Sequence, residues 1–514
     1  MKGRAGPHPL DVPLPHDLRA AAGRASRDVA LQQFVGGATL HKDRGRRETC
    51  RRAFGERYDA LRRHAGAIKQ HTLDHLDAYL ERFIARARES GAIVHAAATA
   101  AQANEVCLAV ARRHGCRLCV KSKSMVTEET GLLAALETAG VETVETDLGE
   151  FILQLDGDAP SHIVTPMIHK DRAAVGRAFA RELGVAYTDD PRRLTMIARE
   201  HLREKYRRAD LGVSGGNFLV ADTGSVVLCT NEGNGRFCTG VPRVHVAMVG
   251  IEKLVPSMEH LTVFLKLLAR SGTAQPLTVY TQVITGPRRP DEDDGPDEVH
   301  IILVDNGRTG LLRAESRELL RCIRCGACLN ACPVYRTIGG HAYGSVYSGP
   351  IGAVITPALR GLRDFAALPH ASSLCGACFE ACPVHIDIPR HLTRLRAQIV
   401  EQRIAGWRER AGMRLWGLAL RTAWTYRLAA WAQRLVLRRL ARRVGRRSRD
   451  SARADAAHRP GAWIHAGPGP LRAWTQERDF PAPAARSFRQ WWARERGHAR
   501  APRRDIPGQR GTPA

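Results

Sequence analysis

Two cysteine runs constrain this chain more than any other feature. The first reads Cys322-x-x-Cys325-x-x-Cys328-x-x-x-Cys332-Pro333, and the second Cys375-x-x-Cys378-x-x-x-Cys382-Pro383. The first run has the bacterial ferredoxin spacing for a [4Fe–4S] cluster, in which the fourth cysteine ligates the other cluster of a two-cluster protein. Two-residue gaps let three thiolates converge on one cubane while the fourth is carried past it, and proline ends the turn. Zinc is the competing reading of paired C-x-x-C motifs, but a tetrahedral zinc site takes four ligands and has no use for the longer run. The pattern therefore predicts two iron–sulfur clusters. Crossed ligation assigns Cys322, Cys325, Cys328 and Cys382 to one cluster and Cys332, Cys375 and Cys378 to the other. The second run holds Ser372 where its first cysteine would stand. That cluster is expected to be [3Fe–4S], or [4Fe–4S] with Ser372, water or substrate on the open iron. An electron relay is the favoured reading of the gap, with a substrate site at the open iron as its rival.

The remaining composition bounds the setting. A chain of 514 residues with 44% hydrophobic content supports two or three domains with real cores. Thirteen cysteines, seven of them in the two metal-spaced runs, behind an N-terminus without an apolar signal-like stretch, point to a reducing compartment, expected to be the cytoplasm. No uncharged apolar run reaches the roughly 18 residues that a membrane-spanning helix needs. The net charge of +26 raises nucleic acid or an acidic membrane surface as partners. Most of it lies beyond residue 400, where 26 arginines stand against 8 acids with no lysine. No nucleic-acid-binding motif accompanies that charge, so no nucleic acid is expected. A partner-facing or membrane-facing surface is.

Four regions are expected: an arm with helices over 1–90, an α/β domain over 91–313, a two-cluster domain over 314–400 and a basic region over 401–514. Residues 1 to about 45 carry prolines and Gly36-Gly37 with little periodicity, and read as loosely structured. From Arg47 to Glu89 the apolar spacing is helical. Short apolar strands at 91–95, 116–120 and 141–144 then alternate with helices over 100–113 and 128–139, the pattern of a parallel, doubly wound sheet. Cys116 and Cys119 resemble a redox pair, but burial within a strand is the better reading, and Cys107 reads as a buried helix residue. Lys121-Ser-Lys-Ser-Met125 follows a strand end, where open α/β sheets place ligands, so an anion site and a solvated turn both stay open. Asp190-Pro191 starts a helix running to about Arg208. The glycine-punctuated stretch Asp210–Gly235 holds a hairpin, Phe218–Ala221 with Ser225–Leu228, and a polar turn with Glu232, which is either a catalytic acid or structural. It contains neither a dinucleotide fingerprint nor a Walker motif. In the tail, Trp407–Leu440 is helical without a single basic stripe, residues 441–470 read as a polar linker, and Trp474, Phe480, Phe488, Trp491 and Trp492 form an aromatic docking segment.

Several stretches together resemble one family: Lys121-Ser-Lys-Ser-Met-Val-Thr-Glu-Glu129, Glu145-Thr-Asp-Leu-Gly-Glu150, Asn231-Glu-Gly-Asn234, Gly250-Ile-Glu-Lys253 and Asp305-Asn-Gly-Arg308. Gly339-Gly-His-Ala-Tyr343, Leu374-Cys-Gly-Ala-Cys378, Ala473-Trp-Thr475, Arg478-Asp479, Ser487-Phe-Arg489 and Trp491-Trp492 extend the match over nearly the whole length. The chain resembles lactate utilization protein B, the iron–sulfur subunit of a bacterial three-component L-lactate oxidation system. The resemblance implies an α/β domain similar to the CoA-transferase and ribose-5-phosphate isomerase type, followed by a helical two-cluster ferredoxin domain. It implies seven cysteine ligands with the same gap at Ser372, two clusters usually described as [4Fe–4S], and two partner subunits. Glu232 falls in a loop similar to the catalytic glutamate loop of CoA transferases, although the motif order differs. The expected function is an oxidoreductase subunit that relays electrons during oxidation of L-lactate to pyruvate. The alternatives are a relay for another 2-hydroxy acid such as glycolate, and a stand-alone enzyme binding substrate at the open iron. Lys121, Lys123 and Arg288 are the candidates for holding a small carboxylate.

Overall fold

In the computed structural model the apolar runs between residues 91 and 305 become strands of two sheets, and the larger is covered on both faces because neither can be left to water. The described residues are 12–445 and, beyond them, 463–464, 467–469, 471–475, 478–484 and 486–499. The chain divides into two units, Met1–Ile404 and Ala405–Ala514. The first contains β1 (Ile93–Ala97), β2 (Leu118–Lys121), β3 (Glu142–Glu145), β4 (Leu211–Ser214), β5 (Phe218–Val220), β6 (Ser225–Thr230), β7 (Val244–Gly250), β8 (Leu254–Val255), β9 (Tyr280–Ile284) and β10 (Glu298–Val304).

Six strands pair in the order β1-β10-β7-β4-β2-β3, and every pairing is parallel. All seven residues of β7 are buried, as expected for a parallel sheet covered on both faces. Alternate residues feed different cores, because side chains switch face at each step of a strand. Val246, Met248, Ile302 and Val304 join Cys107 and Val110 of the helix Ala100–Arg113 on one side. Ala247, Val249, Ile301 and Leu303 join Phe83 and Ala87 on the other, with Leu219 and Val226. Those last two belong to a second, four-stranded sheet of order β8-β5-β6-β9, whose β5–β6 hairpin is the expected one.

The strand and helix types match expectation, with boundaries displaced by a few residues. The helix expected over 128–139 is two helices, Met125–Thr130 and Leu132–Thr138, separated by Gly131 at φ 70°. Glycine reaches that left-handed conformation without a Cβ penalty, so the chain turns there. Cys107, Cys116 and Cys119 are all buried in one apolar cluster, with Cys116 lying just before its strand.

The larger departure is at the N-terminus. Residues 18–54 are not loose: Asp17 caps the helix Leu18–Ala25, and Asp28 caps the helix Val29–Phe54, each carboxylate accepting an amide hydrogen at 2.9 Å. Periodicity fails to announce the long helix because its buried positions include Thr39, Asp43, Arg46 and Thr49. Asp43 binds Arg46 at 2.8 Å and lies 3.7 Å from Arg336 of the cysteine-bearing region. The helix is thus one wall of that region, and tertiary packing overrides weak local preference.

The cysteine-bearing region is built of short helices, Ala327–Ala331, Pro333–Ile338, Gly349–Arg360, Ala377–Ala381 and Ile388–Glu401. Its core, with Tyr335, Tyr343, Ile351 and Leu392, is continuous with Val35 and Ile68 of the N-terminal helices and with Phe264 of Met258–Thr273.

In Ala405–Ala514, helices span Trp407–Leu420 and Ala423–Gly445, where one was expected, and Trp463–Ile464 pairs antiparallel with Phe480–Pro481. Thr422, between the two helices, accepts the Thr425 amide at 3.2 Å and starts the second. Phe488, Trp491 and Trp492 pack on one another within the helix Phe488–Ala499, with centroids 5.5–6.1 Å apart. Most of the expected 441–470 linker lies outside the described residues. Among the described residues, no helix is long and apolar enough to cross a membrane.

Two features generate predictions. Lys121, wholly buried at the end of β2, binds Glu145 at 2.7 Å, with Glu128 at 3.4 Å and Glu150 at 3.9 Å. One cation cannot neutralise three buried carboxylates. Burial first, and then the neighbouring Glu145 carboxylate, push Glu150 well above its ordinary 4.5. The Glu145–Glu150 pair therefore keeps a proton that the unfolded chain has released above that pH, and the native state loses about 1.4 kcal/mol per pH unit through this group as pH rises. Glu150→Gln removes that slope, so urea unfolding at pH 6 and pH 8 should show the variant gaining on the parent as pH rises. Separately, a Cβ on Gly340 would sit 1.7 Å from the Ser161 carbonyl oxygen. Gly340→Ala should cost about 1–3 kcal/mol in the same assay, because two backbones must separate.

Candidate redox site

The two cysteine runs share one backbone pattern. Arg324 (φ 59°) and Gly326 (φ 76°) in the first correspond to Leu374 (φ 55°) and Gly376 (φ 85°) in the second. Each pair precedes a five-residue helix that ends on Cys-Pro. The repeat superposes Ser372 on Cys322 in backbone order. Left-handed Arg and Leu cost about 1–2 kcal/mol each, so the surrounding fold holds these turns in place.

The turns gather thiols. Cys322, Cys325, Cys328 and Cys382 line one cavity whose other walls include Ile163, Ile323, Ile351, Val384 and Ile386. Burial pushes the Cys382 thiol up to about 11 and that of Cys378 up to about 12, the latter also through its neighbours Cys332 and Cys375. Backbone amides of Arg324, Tyr335 and Ile386 donate to the sulfurs of Cys322, Cys332 and Cys382, each at 3.4 Å. Arg62 braces the second run, donating to the Cys382 and Phe379 carbonyls at 2.8 and 2.6 Å. Ser372 is half-buried, and its hydroxyl accepts the Leu374 amide at 3.1 Å; Cys375 is exposed. One thiol set is therefore interior and the other reaches the surface. All-sulfur donors, amide-to-sulfur hydrogen bonds and apolar walls suit iron–sulfur clusters, which such features tune.

Behind the first run lies a buried ion network. Arg308, fully buried, donates to both oxygens of Glu129 at 2.9 and 2.8 Å, to Glu252 at 2.6 Å and to the Asp305 carbonyl at 3.0 Å. Tyr347 donates its hydroxyl to Glu129, and Arg324 places a guanidinium nitrogen 3.7 Å from Glu252 and its carbon 4.3 Å from the Tyr347 ring centroid. Arg308 is the main cause holding the Glu252 carboxyl down at about 2 against the opposing effect of burial, with Lys253 and Arg324 assisting. Gly250 is required here: a Cβ would lie 2.1 Å from the Glu252 carboxylate and 2.7 Å from Arg308.

A cavity of about 320 Å³ opens at the carboxyl ends of the parallel strands, where such sheets bind ligands. Its lining includes Ser122, Lys123 and Ser124 after β2, Asp147 after β3, Asn217, Glu232, and Glu252 with Lys253 after β7. Arg324, Cys325 and Tyr347 also line it, so it abuts the interior thiol set. Of the residues expected to hold a small carboxylate, Lys123 alone lines the cavity, donating to the Val164 carbonyl at 2.8 Å. Lys121 is consumed by its three carboxylates, so its segment is not a solvated turn, and Ser122 and Ser124 are buried too. Arg288 pairs with Asp297 at 2.9 Å and is not among the lining residues. Glu232 stands at the rim, exposed as a residue, with its carboxylate accepting the Leu148 amide at 3.1 Å. Partial burial of the head group, then Asp147, push it up to about 7. Sequence reasoning missed Lys253 and Arg324 as cavity residues. Lys253 closes a stretch that carries the family resemblance, and Arg324 sits inside the first cysteine run; nothing local in either says that they meet.

Comparison with known proteins agrees with this geometry. Residues 80–304 match the LUD domain model, 318–386 the 4Fe-4S dicluster domain model, and 395–497 the model for the C-terminal region of lactate utilisation protein B. Lactate utilization protein B of Bacillus licheniformis is 44% identical over 455 residues, covering 87% of this chain and 91% of its own. That of Oceanobacillus iheyensis is 44% identical over 427 residues, covering 83% and 86%. A crystal structure of a duf162 family protein from Deinococcus radiodurans aligns with 45% of this chain and 98% of its own at 15% identity, with a TM-score of 0.26 too low to carry a fold argument. The chain has two iron–sulfur clusters, the dicluster match describing them as 4Fe-4S. With its sheet domain, its dicluster domain and its C-terminal region all matched, the chain belongs to the lactate utilization protein B family.

Proposed function

We propose that this chain is the iron–sulfur electron-transfer subunit of a complex that oxidises L-lactate to pyruvate, working in the cytoplasm with two other lactate-utilization subunits and an electron acceptor. The observation that carries the reading is the placement of the thiols: one set is interior and abuts the cavity, and the other reaches the surface at Cys375. In this reading Cys322, Cys325, Cys328 and Cys382 ligate the inner cluster, and Cys332, Cys375 and Cys378 the outer one, with Ser372 in the place of an eighth ligand. A bound iron–sulfur cluster supplies one-electron transfer, at a potential set by charge, hydrogen bonding and solvent exposure. The chain's residues do the tuning. The amides of Arg324, Tyr335 and Ile386 are directed at sulfur, the isoleucine walls exclude water, and Arg324 adds positive charge on the inner side. The domain over 91–313 is assigned to the CoA-transferase and ribose-5-phosphate isomerase type on the earlier resemblance, with Glu232 left outside the relay.

The reading in which substrate binds an open iron at Ser372 is disfavoured, because the cavity meets Cys325 and does not include Cys375.

Two outcomes check the assignment. Anaerobically purified chain should contain about eight irons if both clusters are [4Fe–4S] and about seven if the Ser372 site holds [3Fe–4S]. Cys325→Ala should lose about half of that iron, measured by iron and sulfide counting. The chain combined with its partner subunits should reduce a dye when L-lactate is added, and the Cys325→Ala complex should not. Equal rates with glycolate in place of lactate would move the substrate assignment. No lactate-dependent reduction in the complete complex would refute the function.

A further inference from the structure

The cavity beside Cys325 has a polarity of its own. Lys253 is 7% exposed and lines the cavity, and its ammonium makes no hydrogen bond or ion pair among the described residues; of the neighbouring Glu252 carboxylate, Oε2 is bound by Arg308 at 2.6 Å, and Oε1 lies 3.7 Å from Arg324 without a hydrogen bond. Arg324 is 9% exposed, and its Nη1 is buried without a hydrogen-bond partner. Arg308, Arg324 and Lys253 gather around two carboxylates, Glu129 and Glu252, in this buried region. Thiolates of the adjacent cysteine set offset some of that charge. Among the described residues no cysteine sulfur accepts from Arg324 Nη1 or from the Lys253 ammonium, and Cys322 accepts the Arg324 backbone amide. A buried donor left without an acceptor is costly, and an unpaired ammonium lining the same cavity as such a guanidinium makes a place for an anion. Asp147 and Glu232 line the same cavity, so it also has an acidic portion.

We propose that this cavity is a binding site for a small monocarboxylate bearing a hydroxyl or keto group, with its carboxylate between Lys253 and Arg324. A guanidinium and an ammonium together suit the two oxygens of a carboxylate. The acidic residues repel a second anionic group, which disfavours dicarboxylates and phosphate esters, while a substrate hydroxyl can donate to them. The volume lies at the small end for ligand cavities, which suits an acid of few carbons. The inference rests on the proposed function only in naming L-lactate as the first probe.

The test is calorimetric titration of the anaerobic, cluster-loaded full chain with L-lactate, pyruvate, succinate and inorganic phosphate. Lactate or pyruvate should bind, with succinate and phosphate at least about tenfold weaker. Lys253→Met should weaken the favoured acid by about tenfold or more, the value of one charge-assisted hydrogen bond, and Lys253→Arg should restore part of it. Absence of binding by the parent chain overturns the site. So does a Lys253→Met protein with full iron content that keeps the parent affinity and shows only a changed midpoint potential; the cations would then serve the cluster alone. Should Lys253→Met fail to fold, Glu232→Gln at the exposed rim decides: improved succinate binding supports the site, and unchanged discrimination overturns it. Binding without lactate-dependent dye reduction in the complete complex would leave the site and remove the proposed function, and dye reduction without binding by this chain would do the reverse.

Discussion

Arg308 is the point on which the arrangement around the inner thiols depends. It belongs to the Asp305-Asn-Gly-Arg308 stretch that follows β10, yet its partners come from the helix after β2 and the turn after β7. A guanidinium removed from water is tolerated only when its donors are met, and Arg308 meets them with Glu129, Glu252 and the Asp305 carbonyl. Breaking one side of such a buried pair typically costs about 3–5 kcal/mol, because the remaining charge stays buried. The network therefore fixes Glu252 and Glu129, and through them the positions of Arg324 and Tyr347. Three strand ends and a cysteine turn are held to one centre.

The same network explains the uneven character of the site. Arg308 takes both oxygens of Glu129 but only Oε2 of Glu252, whose Oε1 has no hydrogen-bond partner and lies 3.7 Å from Arg324, and Lys253 and Arg324 line the cavity beside it. On the other side of Arg324, its backbone amide serves the Cys322 sulfur. One residue thus faces both the cavity and the thiol set, and its left-handed backbone is what lets it do so. Among the described residues the second cysteine run has no comparable ionic support. That run is braced by the Arg62 bonds to the Phe379 and Cys382 carbonyls, and Ser372 turns its hydroxyl into its own loop.

Much of the architecture was legible because it follows from periodicity and spacing. Continuous apolar runs gave the buried parallel strands, and the Phe218–Ala221 and Ser225–Leu228 segments gave the hairpin. The N-terminal helix Val29–Phe54 was not legible. It buries Asp43, Arg46 and Thr39 against partners that are remote in sequence, and a polar residue satisfied by a distant partner has no local signature. Lys121 failed for the related reason that a lysine after a strand looks solvated until its carboxylates are located. Arg288 failed because its loop is long and carries its own acid, Asp297.

What the sequence determined by itself was the chemistry. Cysteines at fixed short spacing, interrupted once by Ser372, prescribe iron–sulfur clusters, because ligand geometry within a few residues is set by the backbone. Only the tertiary structure decided where that chemistry faces. It brought Cys375 to the surface and left the other six cysteines of the two runs buried or half-buried, placed Lys253 and Arg324 in the lining of one cavity, and used Lys121 inside the sheet. Those outcomes depend on which buried charge finds which partner, and that competition is settled by burial and hydrogen bonding between segments far apart in the chain.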